Sequence, residues 1–228
     1  MKSDLKNVTI IGAGAWGSAL ANLVQTNKHH VQIWSRQSQV SLVEMVSNSD
    51  AIISAVSIKG VRVIAKQLQT AKLLPDAVLV SATKGLEPIT RQTPSQIWRS
   101  LLPNQPLVVL SGPNLSKEIM AGQPAATVVA SNNESAAQFI QHIFASRNFR
   151  VYTNSDPIGV ELGGTLKNVI AIAVGACDGL NLGTNAKSAL ITRSLIEIIR
   201  VGVYFGAQPE TFWGLSGLGD LLATCNSN

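Results

Sequence analysis

The stretch Val8-Thr9-Ile10-Ile11-Gly12-Ala13-Gly14-Ala15-Trp16-Gly17 decides the fold that this sequence predicts. Its first four residues predict a buried strand, and residues 18–25 (S-A-L-A-N-L-V-Q) predict a helix directly after the last glycine. A G-x-G-x-x-G motif between a strand and a helix is typical of a dinucleotide-binding turn. Gly12 permits the tight bend, Gly14 lets the backbone approach a pyrophosphate, and Gly17 lets the helix pack closely on the strand. The alternative is a tight strand-to-helix turn that binds nothing.

The pattern continues outward from this turn as alternating strands and helices. Further strands are predicted over 31–35, 51–56, 77–83, 106–110, 125–130 and 149–153, and helices over 61–70 and 134–146, with room for one small helix in 37–50. This alternation predicts a Rossmann-type, doubly wound parallel sheet within residues 1–153. The sequence shows no strand signal after Thr153, so residues 154–228 are predicted to form a second, all-helical domain that is incomplete at its C-terminal end.

An unusual helix is predicted over residues 161–177. Its second half, V-I-A-I-A-V-G-A, is apolar on every side and should lie in the protein interior. Lys167 stands just before this run, and a buried ammonium group must be paired or must lose its charge. The alternative is that the side chain of Lys167 extends to water. After a glycine-rich loop over 178–185, a long helix is predicted over 186–205, with Arg193 and Glu197 spaced to form an ion pair.

Composition narrows the class of protein. Hydrophobic residues make up 46% of the 228 residues and charged residues 14%, which predicts a folded globular chain. The net charge of +5 is scattered, and few aromatic residues accompany it, so a nucleic-acid groove is not expected and a site for small anions is favoured. The three histidines lack metal-ligand spacing, so no metal is predicted, and Cys177 and Cys225 are predicted to be reduced thiols. No uninterrupted apolar segment approaches the roughly 18 residues of a membrane span, and a cytoplasmic protein with no membrane partner is expected.

Three positions at the ends of predicted strands are candidates for ligand contacts. Arg36 follows the second strand, where an NAD-selective enzyme usually has an acidic residue, so its guanidinium favours the 2′-phosphate of NADP. Lys84 follows the fourth strand, where an anionic ligand would bind. The Gly112-Pro113 turn follows the fifth strand and exposes backbone amides on the same side. Each of the two charged residues has a simpler interpretation as a solvated surface residue.

These residues stand in longer motifs that together resemble the NAD(P)-dependent glycerol-3-phosphate dehydrogenase family, in particular its cyanobacterial-type bacterial branch. The motifs are I-G-A-G-A-W-G-S-A-L from Ile11, S-A-T-K-G-L-E from Ser81, L-S-G-P-N-L-S-K-E from Leu110, F-R-V-Y-T-N from Phe149, E-L-G-G-T-L-K-N-V-I-A-I from Glu161 and G-L-S-G-L-G-D-L-L-A-T-C from Gly214. The resemblance runs from Val8 to Asn228. It implies an enzyme that interconverts dihydroxyacetone phosphate and sn-glycerol 3-phosphate with NADPH or NADH, for glycerophospholipid synthesis.

The resemblance also implies roles for individual residues. Lys167 matches the family's catalytic lysine, and Lys84 matches a lysine that contacts substrate and cofactor. The further substrate positions are Gly112, Asn114 and Asp220, and the further cofactor positions are Ala15, Trp16, Arg36 and Ser116, besides Gly12, Gly14 and Gly17.

A proton-transfer chemistry follows for these residues. Lys167 can protonate the ketone oxygen while hydride arrives at C2, and the neighbouring charge of Lys84 should lower the pKa of Lys167 toward working pH. Asp220 can orient one of the lysines, and Asn114 supplies an amide that can hydrogen-bond the oxygen. A small phosphate substrate and a homodimer are the expected partners.

The sequence departs from the family at two places, and two alternatives stay open. The segment 37–50 is short, and the chain ends at Asn228 before an S-R-N segment whose arginine is expected to hold the substrate phosphate, so the resemblance implies a C-terminal truncation. The first alternative is a related Rossmann hydroxyacid dehydrogenase. The second is an inactive NADP-binding fragment or sensor. The sequence leaves open the preference between NADP and NAD, the activity of the truncated chain, its oligomeric state, the physiological direction and feedback inhibition.

Overall fold

The computed structural model describes residues 5–226 and shows a seven-stranded sheet followed by a group of helices. The strands are β1 (Asn7–Ile11), β2 (His30–Trp34), β3 (Ala51–Ser54), β4 (Val78–Ser81), β5 (Leu107–Ser111), β6 (Ala125–Ala130) and β7 (Phe149–Asn154). The helices are α1 (Ala15–Thr26), α2 (Leu42–Met45), α3 (Ile58–Leu68), α4 (Pro94–Leu101), α5 (Ser116–Met120), α6 (Glu134–Phe144), α7 (Pro157–Gly179), α8 (Gly183–Tyr204) and α9 (Asp220–Asn226). A 3₁₀ turn (Pro209–Trp213) and a π-helical turn (Leu215–Gly219) precede α9.

The sheet has the order β2-β1-β3-β4-β5-β6-β7, and its pairs are parallel except for β5 with β6. The α/β Rossmann-type prediction is confirmed, while the expectation of a fully parallel sheet is wrong at this one pair. The connection between the two strands contains only the five-residue α5 and turns back at Gly122, whose φ is +74°. Such a connection returns the chain at the carboxyl end of β5, whereas a parallel neighbour needs a crossover along the whole sheet.

Buried side chains form one core on each face of the sheet and a third among the later helices. Successive residues of β1 lie on opposite faces of the sheet: Ile10 packs with α1 and α6, and Ile11 packs with α3 and α4. The third core lies around Phe212, with side chains from α7, α8 and α9. Every strand among residues 5–226 ends before Asp156, which accords with a boundary near residue 154. That boundary stays a prediction, and the ends of the two predicted domains, residues 1–4 and 227–228, lie outside the described residues.

The helical region departs from the sequence prediction in its boundaries. α7 begins at Pro157, with Asp156 as its N-cap accepting a hydrogen bond from the Gly159 N–H at 2.9 Å. The predicted loop over 178–185 is wrong, because α7 continues to Gly179 and α8 begins at Gly183. The predicted pair of Arg193 with Glu197 is also wrong. Glu197 instead accepts a hydrogen bond from Arg200, one turn further along α8, at 2.8 Å.

Helix α7 is only partly interior, contrary to the expectation for its apolar half. Val169 and Ile172 are 66% and 76% exposed, because α8 and α9 pack on the other side of the helix. By length and composition alone α7 is also apolar enough to cross a membrane, and half of its most apolar segment is buried inside the protein. One such helix is weak support for a membrane span, because the core helix of a globular protein can be equally long and apolar. The burial of Glu161 and Lys167 on it matches a core helix.

A buried carboxyl group joins α7 to α4. Glu161 is 3% exposed and accepts hydrogen bonds from the Ser95 N–H at 2.9 Å and the Ser95 hydroxyl at 2.5 Å. Among the described residues no salt bridge neutralises it. Burial therefore raises the pKa of this carboxyl above its ordinary value of 4.5, and its hydrogen bonds with Ser95 only partly oppose that rise.

Replacing Glu161 by glutamine is expected to reduce the loss of folding stability between acidic and neutral pH. The folded state favours the protonated carboxyl of Glu161. The stability that this group contributes is therefore complete below pH 4.5, and it is lost as pH rises through the raised pKa of the folded state. Each unit of the rise corresponds to about 1.4 kcal/mol, and glutamine, which is never ionised, avoids the loss. Chemical denaturation of both proteins between pH 4 and pH 8 measures the change. The exposed Glu134, replaced in the same way, is the control, and parallel pH curves for wild type and Glu161→Gln would contradict the prediction.

Candidate active site

The glycine turn after β1 has the geometry that a bound dinucleotide requires. Gly12 has a φ of +116°, and a Cβ there would lie 2.7 Å from the carbonyl oxygen of Ala55. A Cβ on Gly17 would lie 1.9 Å from the Gly12 carbonyl oxygen, so α1 packs directly against the turn. The space beside Gly14 is open to at least 4 Å, and Gly14 precedes the first turn of α1, where the helix N–H groups lack helical partners. The turn therefore fits a pyrophosphate.

Trp16 and Arg36 lie on either side of this turn. The Trp16 indole donates a hydrogen bond to the Ala82 carbonyl at 3.1 Å, which fixes the ring over the carboxyl ends of the strands. Arg36 is exposed in the turn after β2, two residues beyond Trp34, whose carbonyl accepts the Gly12 N–H at 2.8 Å. The guanidinium is thus attached beside the glycine turn, on the side where the second strand ends. This position suits a ribose phosphate next to the pyrophosphate.

Two lysines meet one carboxylate at the carboxyl edge of the sheet. Asp220 at the start of α9 is 2% exposed; its Oδ2 lies 2.5 Å from Lys84 Nζ, and its Oδ1 is hydrogen-bonded to Lys167 Nζ. Lys167 is 7% exposed, so its side chain does not extend to water. Thr224, one turn after Asp220, accepts a second hydrogen bond from Lys167 at 2.6 Å. The site therefore combines residues that are 136 positions apart in the chain.

Burial and charge lower the pKa of Lys167 from 10.5 to about 8. Burial in the protein interior is the larger cause, and the neighbouring ammonium of Lys84 is the second. The charge and hydrogen bond of Asp220 oppose both effects and keep the pKa from falling further. The sequence prediction anticipated both burial and the charge of Lys84, and burial is the larger cause. A lysine with a pKa near 8 can both donate and accept a proton close to neutral pH.

Two adjacent glycines on α7 allow this close approach. A Cβ on Gly164 would lie 2.3 Å from Ser111 Oγ and 3.3 Å from Lys84 Cε, so only glycine leaves room for both side chains. A Cβ on Gly163 would lie 2.7 Å from the carbonyl oxygen of Ser216, in the turn before α9. The hydroxyl of Thr165 accepts the Gly85 N–H at 3.1 Å and fixes the loop that carries Lys84. The E-L-G-G-T-L-K segment thus brings β5, the Lys84 loop and the start of α9 around Lys167.

A cavity of about 340 Å³ lies between Trp16, in the glycine turn, and Lys84. Its lining includes Trp16, Ala55, Lys84, Ser111, Asn114 and Ser116. The amide nitrogen of Asn114 donates to Thr127 Oγ1 at 2.9 Å, while the buried Oδ1 of Asn114 has no partner. The amide nitrogen has a second N–H besides the one that Thr127 accepts, so the expectation that Asn114 hydrogen-bonds the substrate oxygen stays a prediction, and the free Oδ1 adds an acceptor to the site. Gly112 borders the site through its carbonyl, 3.5 Å from Lys84 Nζ.

Several residues of this site were missed in the sequence. Ser111, Thr127 and Thr224 carry hydroxyl groups beside named candidates, but hydroxyl residues are common and no spacing distinguishes them. Gly163 and Gly164 give a stronger signal, since two glycines in the interior of a helix are unfavourable unless close packing requires them. Both cysteines are buried free thiols, and the described residues contain no group of three or more potential metal ligands.

The sheet order, the glycine turn and the buried lysine–aspartate cluster define a dehydrogenase with a Rossmann-type NAD(P)-binding domain. Family models for the NAD-dependent glycerol-3-phosphate dehydrogenase N-terminus match residues 7–43 and 37–137, and the model for the C-terminus matches residues 156–228. The chain belongs to the NAD-dependent glycerol-3-phosphate dehydrogenase family. The two N-terminal matches meet within the segment 37–50, which was predicted to be shorter than in the family.

Individual relatives agree with this assignment. Glycerol-3-phosphate dehydrogenase [NAD(P)+] from Synechocystis sp. is 66% identical over 96% of this chain and 69% of its own length. The enzyme of the same name from Trichormus variabilis is 62% identical over 96% of this chain and 72% of its own length. The crystal structure of the Coxiella burnetii glycerol-3-phosphate dehydrogenase covers 98% of this chain and 77% of that chain, at 33% identity and a TM-score of 0.92. A 3-hydroxyisobutyrate dehydrogenase from Mycobacterium tuberculosis, with a TM-score of 0.55 and 14% identity over 82% of this chain and 70% of that chain, shares the fold alone.

Proposed function

We propose that this chain interconverts dihydroxyacetone phosphate and sn-glycerol 3-phosphate with NAD(P)H, and so supplies the glycerol phosphate of glycerophospholipids. The observation that carries the proposal is the buried Lys84–Asp220–Lys167 cluster beside the cavity that begins at the glycine turn. The names of the relatives point to the same substrate pair. Similarity to a hydroxyacid dehydrogenase is limited to the fold, which makes that alternative weaker.

Lys167 has the proton-transfer role in this proposal. A bound nicotinamide cofactor supplies hydride to C2 of the ketone or accepts it from the alcohol. Lys167 donates a proton to the oxygen on C2 during reduction and takes it back during oxidation, with Thr224 and Asp220 holding its Nζ in place. Lys84 adds positive charge beside the same oxygen, where negative charge develops. Asp220 offsets part of the repulsion between the two ammonium groups.

The residues around the glycine turn fit a dinucleotide, and we propose Gly12, Gly14, Ala15, Trp16 and Gly17 as its contacts together with Ser116 and Lys84. Ala15 and Gly14 are exposed at the start of α1, and Ser116 lines the cavity at the start of α5. Arg36 favours NADP(H) over NAD(H), because a guanidinium is the side chain best suited to a phosphate on the ribose.

An assay of NADPH absorbance with dihydroxyacetone phosphate tests the proposal. We expect NADPH loss matched by formation of sn-glycerol 3-phosphate, measured for this chain and for one extended past Asn228 to the length of its relatives. Arg36→Leu should raise the KM for NADPH by about 10- to 100-fold, the effect of a lost charged hydrogen bond, while the KM for NADH changes little. An equal rise in the KM for NADPH and the KM for NADH would contradict the assignment of Arg36 to the ribose phosphate. No absorbance change with either chain would favour the NADP-binding sensor.

We also propose a cytoplasmic homodimer that binds neither membrane nor nucleic acid. The scattered charge and the burial of charged groups on α7 support the absence of membrane and nucleic-acid partners. Tyr204 and Phe205 at the end of α8 are 84% and 52% exposed, and apolar groups of this size favour burial in an interface.

A further inference from the structure

Ser111 and Asn114 each place a buried polar atom without a partner at the active-site cavity. Ser111 Oγ and Asn114 Oδ1 have no hydrogen-bond partner in the protein, and both residues line the cavity between Trp16 and Lys84. Ser111 is 3% exposed at the end of β5. A buried polar atom without a partner is costly, and such atoms in a binding cavity indicate that a ligand supplies the missing bond.

The orientation of the Asn114 amide follows from its neighbour. The hydroxyl of Thr127 donates to the Ser111 carbonyl at 3.1 Å, and a carbonyl oxygen can only accept. Thr127 Oγ1 must therefore accept from Asn114, at 2.9 Å, so the amide nitrogen faces Thr127 and Oδ1 is the free atom. The two unpartnered groups are thus one obligate acceptor and one hydroxyl that can donate.

An alcohol satisfies both groups, and a phosphate does not. A hydroxyl on the ligand can donate to Asn114 Oδ1 and accept from Ser111, whereas a phosphate dianion has no proton for the acceptor and is repelled by it. Ser111 Oγ also lies on the lysine side of the cavity, since a Cβ on Gly164 would lie 2.3 Å from it, 3.3 Å from Lys84 Cε and 3.6 Å from Asp220 Oδ2. A group bound there is next to the atom that reacts with the lysines.

We infer that Ser111 Oγ and Asn114 Oδ1 form the subsite for the free hydroxyl of the three-carbon substrate, on the carbon next to the carbonyl, and so exclude the phosphate from this end. The inference rests on the proposed function. The subsite makes the two ends of the substrate distinguishable, because only a hydroxyl offers both the donor that Asn114 Oδ1 lacks and an acceptor for Ser111.

Equilibrium binding of two ketones tests the subsite without any turnover. The ligands are dihydroxyacetone phosphate and hydroxyacetone phosphate, in which hydrogen replaces the free hydroxyl, titrated calorimetrically in the presence of saturating NADP+. Wild type should bind dihydroxyacetone phosphate tighter by about 10- to 100-fold, the cost of leaving buried polar atoms unsatisfied. Ser111→Ala and Asn114→Leu should each reduce this ratio at least fivefold, mainly by weakening binding of dihydroxyacetone phosphate.

Ser111→Ala is the decisive variant because its hydroxyl has no partner whose loss would disturb folding. Its thermal midpoint should equal or exceed that of wild type. Ser54→Ala is the matched control, since Ser54 on β3 also has a buried, unpartnered hydroxyl but does not line this cavity. That variant should keep the wild-type ratio.

Four results would overturn the inference or its basis, and they are distinguishable. Wild type that binds both ketones equally, or variants that keep its ratio, would exclude the hydroxyl subsite. A selective loss of NADP+ affinity in Ser111→Ala would assign the pair to the cofactor's carboxamide instead. Wild type that binds neither ketone, both as this chain and as the chain extended past Asn228 to the length of its relatives, would contradict the proposed function itself.

Discussion

Replacing Lys167 by alanine is expected to abolish turnover while NADPH still binds. In the proposed mechanism the buried ammonium of Lys167 is the proton donor, and removing a positioned general acid costs about 10²- to 10⁴-fold in rate. Lys167 is not among the proposed cofactor contacts, most of which lie at the glycine turn, so the dissociation constant for NADPH should stay within about threefold of wild type. Steady-state kinetics and NADPH fluorescence titration measure the two quantities.

Two companion variants separate chemistry from packing. Lys167→Met keeps the apolar stem in its buried position and should be as inactive as the alanine variant. Lys187→Ala removes another helical lysine, one that pairs with the exposed Asp178 at 2.7 Å, and should keep wild-type turnover. Near-normal turnover in Lys167→Ala would contradict the proposed proton-transfer role of Lys167.

The pH dependence of the reaction rate should also depend on the protonation of Lys167. If Lys167 is the acid during reduction, as proposed, the rate should fall as pH rises through about 8, where the ammonium loses its proton. Oxidation needs the neutral amine, so its rate should rise through the same pH. Both limbs should be absent from the residual activity of Lys167→Met.

Replacing Asp220 by asparagine is expected to reduce ketone reduction at neutral pH by about 10²-fold or more. The carboxylate is the shared partner of two ammonium groups, and a neutral amide leaves them facing each other in a buried site. Removing one member of a buried ion pair typically costs about 3–5 kcal/mol, so the thermal midpoint should fall as well. Thermal melting and pH-dependent kinetics measure these effects.

The sign of the pH change makes this prediction specific. Asp220 raises the pKa of Lys167 against the effects of burial and Lys84, so its loss should move that pKa from about 8 to lower pH. Part of the lost reductase activity of Asp220→Asn should return as pH is lowered, which loss of folding alone would not produce. Asp178→Asn, which breaks the pair with Lys187 near the protein surface, is the control and should leave the profile unchanged. A profile for Asp220→Asn that coincides with wild type in shape would refute the positioning role.

The sequence predicted the sheet well because buried strands and glycine turns are local signals. β6 was predicted at its observed bounds and β1 to within one residue, while α1 ends one residue after the predicted Gln25 but begins at Ala15, three residues before the predicted Ser18. The helices were predicted less well, since α4 and α5 in the sheet domain were missed and the predicted loop after α7 was too long. Helix ends depend on capping contacts such as that of Asp156 with Gly159, and the periodicity of apolar residues does not locate them.

The sequence by itself determined the class of this protein: a dinucleotide turn at the start of a Rossmann-type sheet, a lysine beside an apolar helix, and motifs of one dehydrogenase family. Only the tertiary structure decided how those motifs combine. Asp220 is 53 residues from Lys167 and 136 from Lys84, and no spacing rule predicts that one carboxylate holds both. The antiparallel β6, the burial that lowers the pKa of Lys167, and the free oxygen of Asn114 likewise depend on contacts between distant segments. Residue types reveal which chemistry is available, but burial and hydrogen-bond partners exist only once the chain has folded.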